Sequence, residues 1–319
     1  MATLAYYDVL DFPMTAGEVG QFLINPQRFT KFRLPALTDK PDEYRLMIED
    51  GLEELKEAGR IEEHFGFHSL PGRKHLFQER IERIKLAEEK WRKARRYLFW
   101  VQGLPFVEMV LASGSLGLGH MTEESDLDVL VVSKPGRIWL TRLLVFLWFG
   151  LMGVRRRKHQ KVAPNKICPN HYLTTTSLHI PFASLYNAQT YAHLVPVYVR
   201  DHRLPDDFRM ANPWINVYIN HWKKSEFPER VVKKSKLLRG WALGAEFFLR
   251  FFGKLPEKFA RAIQKPRIKL NLPGRITVGD DQLEFHPYSV EGKILGKYNE
   301  IIASMKIFGD YKEEDSGLN

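Results

Sequence analysis

Apolar positions in the N-terminal part of the chain follow a helical period. They recur at this spacing over residues 2–11 and 15–24, with Pro13 between the two stretches. Thr15 stands three residues before Glu18, the spacing of a capping box at a helix N-terminus. The pattern therefore predicts two short helices, the second of which begins just after Thr15.

The next segment predicts a longer helix and then a hairpin. A polar, proline-containing loop over 26–42 leads into an amphipathic helix that Gly59 ends, and the run IEEHFGFHSL alternates around Gly66. Helices followed by a two-stranded wing resemble a winged helix domain. We expect such a domain over residues 1–74.

The rest of the chain contains both helical and strand-like apolar patterns, which predicts an α+β fold. A long helix with charges of both signs, over 75–100, would lead into a small mixed sheet with helices in a core domain over 75–205. A mostly helical C-terminal domain is expected over 206–319, interrupted by PRIKLNLPGR at 266–275. The core elements predicted are strands at 109–113, at the VLVVS run after Asp128 and within 170–180, an apolar helix over 138–154, and a helix followed by a strand over 185–199.

Composition is that of an ordinary globular protein of 319 residues, with 44% hydrophobic and 27% charged residues. Cys168 is the only cysteine, which excludes an internal disulfide and a cysteine-based zinc cluster and fits a reducing cytoplasm. The N-terminus lacks the pattern of a signal peptide, so a cytoplasmic location is expected. No transmembrane segment is expected either, because the uncharged part of 138–154 is shorter than the roughly 20 residues that span a bilayer. We predict a buried helix there, with a peripheral membrane or partner contact as the alternative.

Candidate chemistry is concentrated in residues 114–128, which read GSLGLGHMTEESDLD. Gly114 and Ser115 follow an apolar run and can turn the chain so that backbone amides and a hydroxyl meet phosphate oxygens. Asp126 and Asp128 begin the next strand, where alternation sends both side chains to one face. Two adjacent carboxylates repel each other unless a cation lies between them, and Mg²⁺ binds such pairs together with substrate phosphates.

The order Gly-Ser, spacer, Ser-Asp-x-Asp resembles the DNA polymerase β-like nucleotidyltransferase superfamily, and the spacer is similar to that of its small, kanamycin nucleotidyltransferase-like members. The whole pattern also resembles uncharacterised bacterial nucleotidyltransferase-domain proteins with a winged helix-like start. This resemblance implies that Gly114, Ser115 and Ser125 bind the nucleotide. Asp126 and Asp128 would be the catalytic residues that hold Mg²⁺, with Mn²⁺ as an alternative. The implied reaction transfers a nucleoside monophosphate from a nucleoside triphosphate to a hydroxyl acceptor.

One element of the family pattern is missing from the sequence. Active members usually carry a third carboxylate on a downstream strand, whereas residues 129–200 contain no Asp or Glu. Asn170 or His171 stands near the expected position. The acids outside this window that could replace the missing one are Glu108, Glu123 and Asp201.

The same acid-free window contains ten Lys and Arg residues, and its charge of +10 equals that of the whole chain. A basic field near a metal–triphosphate site would attract a polyanionic acceptor such as RNA or DNA. For RRRKHQK at 155–161, a solvated surface loop is the alternative interpretation.

Three functions are consistent with these patterns. The first is a Mg²⁺-dependent nucleotidyltransferase, and the second is a catalytically degenerate nucleotide-binding regulator or scaffold, which the missing carboxylate favours. The third is a winged-helix DNA-binding regulator. Acidic residues on the helix before the hairpin argue against it, because they would repel phosphates: Glu49, Asp50, Glu53, Glu54 and Glu57.

Overall fold

A computed structural model of the chain describes residues 1–29, 40–157, 160, 162–220, 222, 227–268, 275–286 and 289–316. Most of the loop expected at 26–42, three positions of the basic segment 155–161 and most of PRIKLNLPGR lie outside these residues.

The described residues form twelve α-helices and nine β-strands. The helices are α1 (Ala2–Asp8), α2 (Ala16–Gln21), α3 (Pro41–Glu57), α4 (His75–Leu98), α5 (Gly114–Leu118), α6 (Ile138–Leu151), α7 (Leu185–Ala192), α8 (Leu204–Ala211), α9 (Ile215–Tyr218), α10 (Lys236–Phe251), α11 (Leu255–Gln264) and α12 (Glu291–Met305). The strands are β1 (Met14–Thr15), β2 (Glu62–His64), β3 (Phe67–Ser69), β4 (Val107–Ala112), β5 (Leu127–Ser133), β6 (Ile167–Thr174), β7 (Val195–Val199), β8 (Arg275–Val278) and β9 (Gln282–His286). The α+β class predicted from the sequence is confirmed.

The N-terminal region contains the predicted local features. Thr15 accepts a hydrogen bond from the amide of Glu18, whose side chain accepts one from the amide of Thr15, so the capping box is confirmed. The predicted hairpin is formed by β2 and β3, with Gly66 at positive φ in the turn. Strand β1, which the helical spacing does not predict, pairs with β3 to complete a three-stranded antiparallel sheet in the order β1-β3-β2.

The larger sheet has six strands in the order β7-β4-β5-β6-β9-β8 and is covered on both faces. On one face, Leu130, Val132 and Leu173 join a core with residues of α1, α7 and α12. On the other, Val129, Val131 and Tyr172 join a core with residues of α4 and α6. Strand alternation therefore sends each strand's apolar side chains into two separate cores.

The predicted apolar helix is α6, and it packs on the sheet as expected. Its buried residues are Ile138, Trp139, Leu140, Thr141, Val145 and Phe149, whereas Leu147 and Leu151 are exposed. Among the described helices, none combines the length and apolar character needed to cross a bilayer.

The C-terminal third is not wholly helical, because β8 and β9 form a hairpin that joins the large sheet beside β6. Asp280 and Asp281 lie in its turn. Helix α11 packs against α6, and α12 packs against α1 and α7. Residues 206–319 thus contribute to the sheet as well as to the helices around it.

Candidate functional site

Sheet topology brings the Gly-Ser turn and the two aspartates to one edge. Strands β4 and β5 are antiparallel, with Ala112 opposite Val129, so the end of β4 meets the start of β5. Strand β6 runs parallel to β5, with Cys168 opposite Asp128, so its first residues lie at the same edge. The amide of Ser113 donates to the carbonyl of Asp128 at 3.0 Å and joins the segments.

Gly114 occupies a position that no other residue fits well. Its φ is +57°, in the left-handed region that glycine tolerates best. A Cβ at this position would lie 2.8 Å from Oδ2 of Asp128. The glycine therefore lets the backbone approach the carboxylate, and Ser115 follows it directly in the first turn of α5.

Gly117 lies inside α5 and does not end it. A Cβ there would come within 2.5 Å of the carbonyl oxygen of His193 and 3.2 Å of that of Ala112. This glycine allows the helix to pack closely against the backbone. Gly119 does end the helix, with a φ of +68°.

The side chains of Asp126 and Asp128 lie close together, as the strand alternation predicts. One ligand atom from each of Asp126, Asp128 and Cys168 lies within 4.8 Å of the other two. Asp126 precedes β5 by one residue, and its Oδ2 accepts a hydrogen bond from Nη1 of Arg156 at 2.5 Å. A cation, here a guanidinium, thus already lies against the carboxylate pair.

The electrostatics of the pair favour the binding of positive charge. Burial and the neighbouring charge of Asp126 raise the pKa of Asp128 to about 7, although the Cys168 thiol and Arg156 act in the opposite direction. Burial and the two carboxylates raise the pKa of Cys168 well above its usual range. The thiol is therefore neutral and donates a hydrogen bond to Asp128.

The two residues considered for the third-acid position differ in their surroundings. Nδ2 of Asn170 donates to Oδ1 of Asp128 at 2.9 Å, so Asn170 belongs to the site. His171 instead lies near Tyr191 and Gln282, with ring-nitrogen distances of 3.4 and 3.3 Å. A bulge in β6 opposite Val129 separates the two environments.

His171 belongs to a second group of metal-type ligands, together with Glu284 and His286. Burial and the charge of Arg275 lower the pKa of His171 to about 3, so its ring is neutral. Nε of Arg275 lies 2.7 Å from Oε1 of Glu284 and supplies the positive charge in this group. Arg275 and Glu284 therefore form a buried ion pair within this cluster.

Two of the three acids outside the window lie far from the aspartates. Glu108 is near the Val132 end of β5, four residues from Asp128 and so about 13 Å away along the strand. It pairs there with Arg200 at 3.0 Å. Asp201 directly follows Arg200 at this same end, and Glu123 is exposed in the turn before Asp126.

The turn before Asp126 is fixed by a buried lysine that sequence patterns did not identify. Lys90 of α4 is only 1% exposed and donates to the carbonyls of Glu123 and Ser125, at 2.9 and 2.7 Å. The hydroxyl of Ser125, expected at the nucleotide, lies 3.0 Å from the amide of Thr122 and closes the turn. The only sequence signal for Lys90 is its place among the buried positions of an amphipathic helix.

The neighbouring residue on α4 fixes the other half of the motif. Nε1 of Trp91 donates to the carbonyl of Leu116 in α5 at 3.1 Å, and its ring is buried. Adjacent residues of one helix therefore position both the Gly-Ser segment and the acidic turn.

The described Lys and Arg residues of the acid-free window 129–200 are not all gathered around the aspartates. Lys134 and Arg200 pair with Glu246 at the opposite end of the sheet, at 2.5 and 2.6 Å. Within the described part of 155–161, Arg156 reaches the site; Lys158, His159 and Lys161 lie outside the described residues.

The donors at this edge fit a hard divalent cation. Two carboxylates supply oxygen ligands, and an amide side chain lies beside them; the thiol is neutral and is a poor ligand for Mg²⁺. Comparison of the chain with protein-family models, curated proteins and solved structures finds no match. The assignment of function therefore depends on the site itself.

Proposed function

We propose that the protein is a nucleotidyltransferase that uses a Mg²⁺-bound nucleoside triphosphate, with a hydroxyl group as acceptor. The observation that carries this proposal is the convergence of Asp126, Asp128 and Gly114 at one sheet edge. A phosphate-binding turn that touches a carboxylate pair is suited to a metal–triphosphate complex.

The fold around the motif supports the same function. Strands β4, β5 and β6 form a mixed sheet with helices on both faces, as expected for a polymerase β-like nucleotidyltransferase core. The N-terminal helices and three-stranded sheet are consistent with a winged helix-like domain.

Each residue of the site has a role in this proposal. Asp126 and Asp128 would hold Mg²⁺, for which Mn²⁺ could substitute, and the metal would neutralise charge on the triphosphate. Ser115 directly follows Gly114, whose backbone approaches Asp128, so its hydroxyl and the amides of the first turn of α5 would bind phosphate oxygens. Lys90 and Trp91 position these two segments before the nucleotide binds.

Arg156 has a role that depends on the ligand. Without a nucleotide it neutralises Asp126. If a metal ion were held by Asp126, the guanidinium of Arg156 would contact the triphosphate instead and stabilise the charge that develops on the leaving pyrophosphate.

A catalytically degenerate nucleotide-binding protein is the second candidate, and one observation favours it. Asn170, which donates to Asp128, and Cys168 are both neutral, so neither can act as a carboxylate ligand or base. We therefore expect slow transfer even if the triphosphate binds well.

A winged-helix DNA-binding regulator is disfavoured by the surface of α3. Its acidic side chains are exposed and would repel a phosphate backbone: Glu49, Asp50, Glu53, Glu54 and Glu57.

The decisive experiment incubates the protein with Mg²⁺, nucleoside triphosphates labelled at the α-phosphorus and a panel of hydroxyl acceptors, including RNA and DNA. Transfer of α-phosphorus label to acceptor, with release of unlabelled pyrophosphate, would identify a nucleotidyltransferase. Tight triphosphate binding without transfer in any combination would identify the degenerate regulator. Failure to bind any triphosphate would contradict both.

A further inference from the structure

Helix α10 exposes its apolar side to solvent. The exposed fractions are 71% for Trp241, 82% for Phe247 and 87% for Phe251. Its inner side carries Glu246, which is 2% exposed and pairs with Lys134 and Arg200. A surface helix usually has the reverse arrangement, so the outer face of α10 is suited to an apolar environment other than this chain's core.

The apolar surface continues onto the next helix. In α11, Leu255 and Phe259 are 68% and 65% exposed and lie one turn apart. Phe248 and Phe252, which are in edge-to-face contact, link the end of α10 to the connection between the helices. We call α10, α11 and their connection the apolar hairpin.

Positive charge surrounds the apolar hairpin. Residues 233–267 contain ten Lys and Arg and only two acids, Glu246 and Glu257. Both acids face inward: Glu246 is in the ion pairs above, and Glu257 accepts hydrogen bonds from the amides of Trp139 and Leu140. The outward charge of the hairpin is therefore almost wholly positive.

A concave surface beside α11 concentrates part of this charge. It is lined by Lys258, Arg261 and Lys265 together with Ala262, Pro266 and Ile268. Arg261 also pairs with Asp280 at 2.9 Å. Cations that alternate with apolar atoms are suited to an anionic headgroup that lies above acyl chains.

We propose that the apolar hairpin binds the surface of a membrane that contains anionic lipids. Phe, Trp and Leu side chains enter the boundary between headgroups and acyl chains, and the surrounding lysines and arginines contact lipid phosphates. This is peripheral binding, with the helices in the plane of the interface.

Charge argues against a second copy of the chain as the occupant. In a symmetric dimer the same patch faces itself, so exposed cations such as Lys254 and Lys258 would lie against those of the partner, and the two acids of residues 233–267 face inward and could not pair with them. An anionic lipid surface satisfies both the apolar and the charged parts of the patch.

The test is co-sedimentation of the full chain with vesicles of phosphatidylcholine alone or mixed equally with phosphatidylglycerol. The double variant Phe247→Ser/Phe251→Ser removes apolar contacts, and Lys254→Glu/Lys258→Glu reverses charge on exposed side chains. Phe65→Ser is the matched control, since Phe65 is 77% exposed in the N-terminal hairpin turn, away from the patch. Thermal melts and sedimentation velocity report folding and oligomeric state.

We expect the wild type to bind the phosphatidylglycerol vesicles, and each double variant to bind about tenfold more weakly or not at all. The Phe65→Ser control should bind as the wild type does. Absence of wild-type binding, equal binding to phosphatidylcholine alone, or unchanged binding of Phe247→Ser/Phe251→Ser would overturn the proposal. The proposal would also be overturned if the wild type did not bind vesicles but formed a dimer that the same variants dissociate.

Discussion

Nδ2 of Asn170 lies 2.9 Å from Oδ1 of Asp128, on the strand that runs parallel to the one carrying the aspartate. Asn170 thus stands where a third carboxylate would complete the acidic edge, but it offers an uncharged amide. It donates to Asp128 and partly offsets the repulsion between the two aspartates.

Replacing this amide by a carboxylate tests what its position means. Asn170→Asp should tighten Mg²⁺ binding and raise any nucleotidyl transfer by on the order of tenfold or more, by adding a metal ligand and a base. Without metal, the third negative charge should lower the melting temperature. Asn165→Asp, which adds the same charge outside the carboxylate cluster, should have none of these three effects. Equal effects of both substitutions on transfer would refute a specific role for position 170.

The stability of the metal-free protein should depend on pH through Asp128. Its pKa rises from 3.8 to about 7 on folding, so the folded state holds this proton more tightly than the unfolded chain does. The stabilisation is complete below about pH 4 and is lost as the pH rises through about 7. Asp128→Asn, which cannot ionise, should gain on the order of 4 kcal/mol relative to wild type between pH 4 and pH 8. Urea unfolding at a series of pH values measures the difference, and a constant difference between the two proteins at every pH would contradict the prediction.

Replacing Gly114 by alanine has two effects that can be separated: the new Cβ contacts Asp128, and alanine tolerates the positive φ of this position less well than glycine does. Gly114→Ala and Gly119→Ala each place a Cβ on a left-handed residue and should each cost about 1–2 kcal/mol. Only the Cβ at position 114 meets Asp128; the one at 119 enters open space. Triphosphate binding, measured by calorimetry, should therefore weaken in Gly114→Ala alone. Equal weakening in both would show that the contact is unimportant.

Lys90 should be a positioning residue. Lys90→Met removes the donor to the carbonyls of Glu123 and Ser125, of which the second keeps the amide of Asn165 as a donor, and should cost about 2 kcal/mol. It should also weaken metal-dependent nucleotide binding, because Asp126 follows this turn. Lys85→Met, on an exposed position of the same helix, should change stability by about 0.5 kcal/mol or less. If Lys90→Met loses stability but binds nucleotide normally, the lysine is structural only.

Local features of this fold were readable from the sequence because they depend on neighbouring residues. The Thr15–Glu18 capping box and the hairpin at Gly66 are set by side chains within a few positions of each other. The approach of the Gly-Ser turn to Asp126 and Asp128 follows from two adjacent strands.

Features set by distant parts of the chain were not readable. Strand β9 pairs with β6 across more than a hundred residues, so alternation alone did not place it in the sheet. The carbonyls that accept hydrogen bonds from the buried Lys90 belong to a segment more than thirty residues away. The amphipathic pattern of α10 shows two faces, but it does not say that the apolar one is turned outward.

The proposed function requires that Asp126 and Asp128 hold a metal–triphosphate complex. Isothermal titration of each nucleoside triphosphate, with Mg²⁺ and with the metal chelated, tests it most directly in the wild type, Asp126→Asn and Asp128→Asn. We expect binding that requires Mg²⁺ and falls by about tenfold or more in either variant. Triphosphate binding of equal strength in all three proteins, or in the wild type without divalent metal, would contradict it.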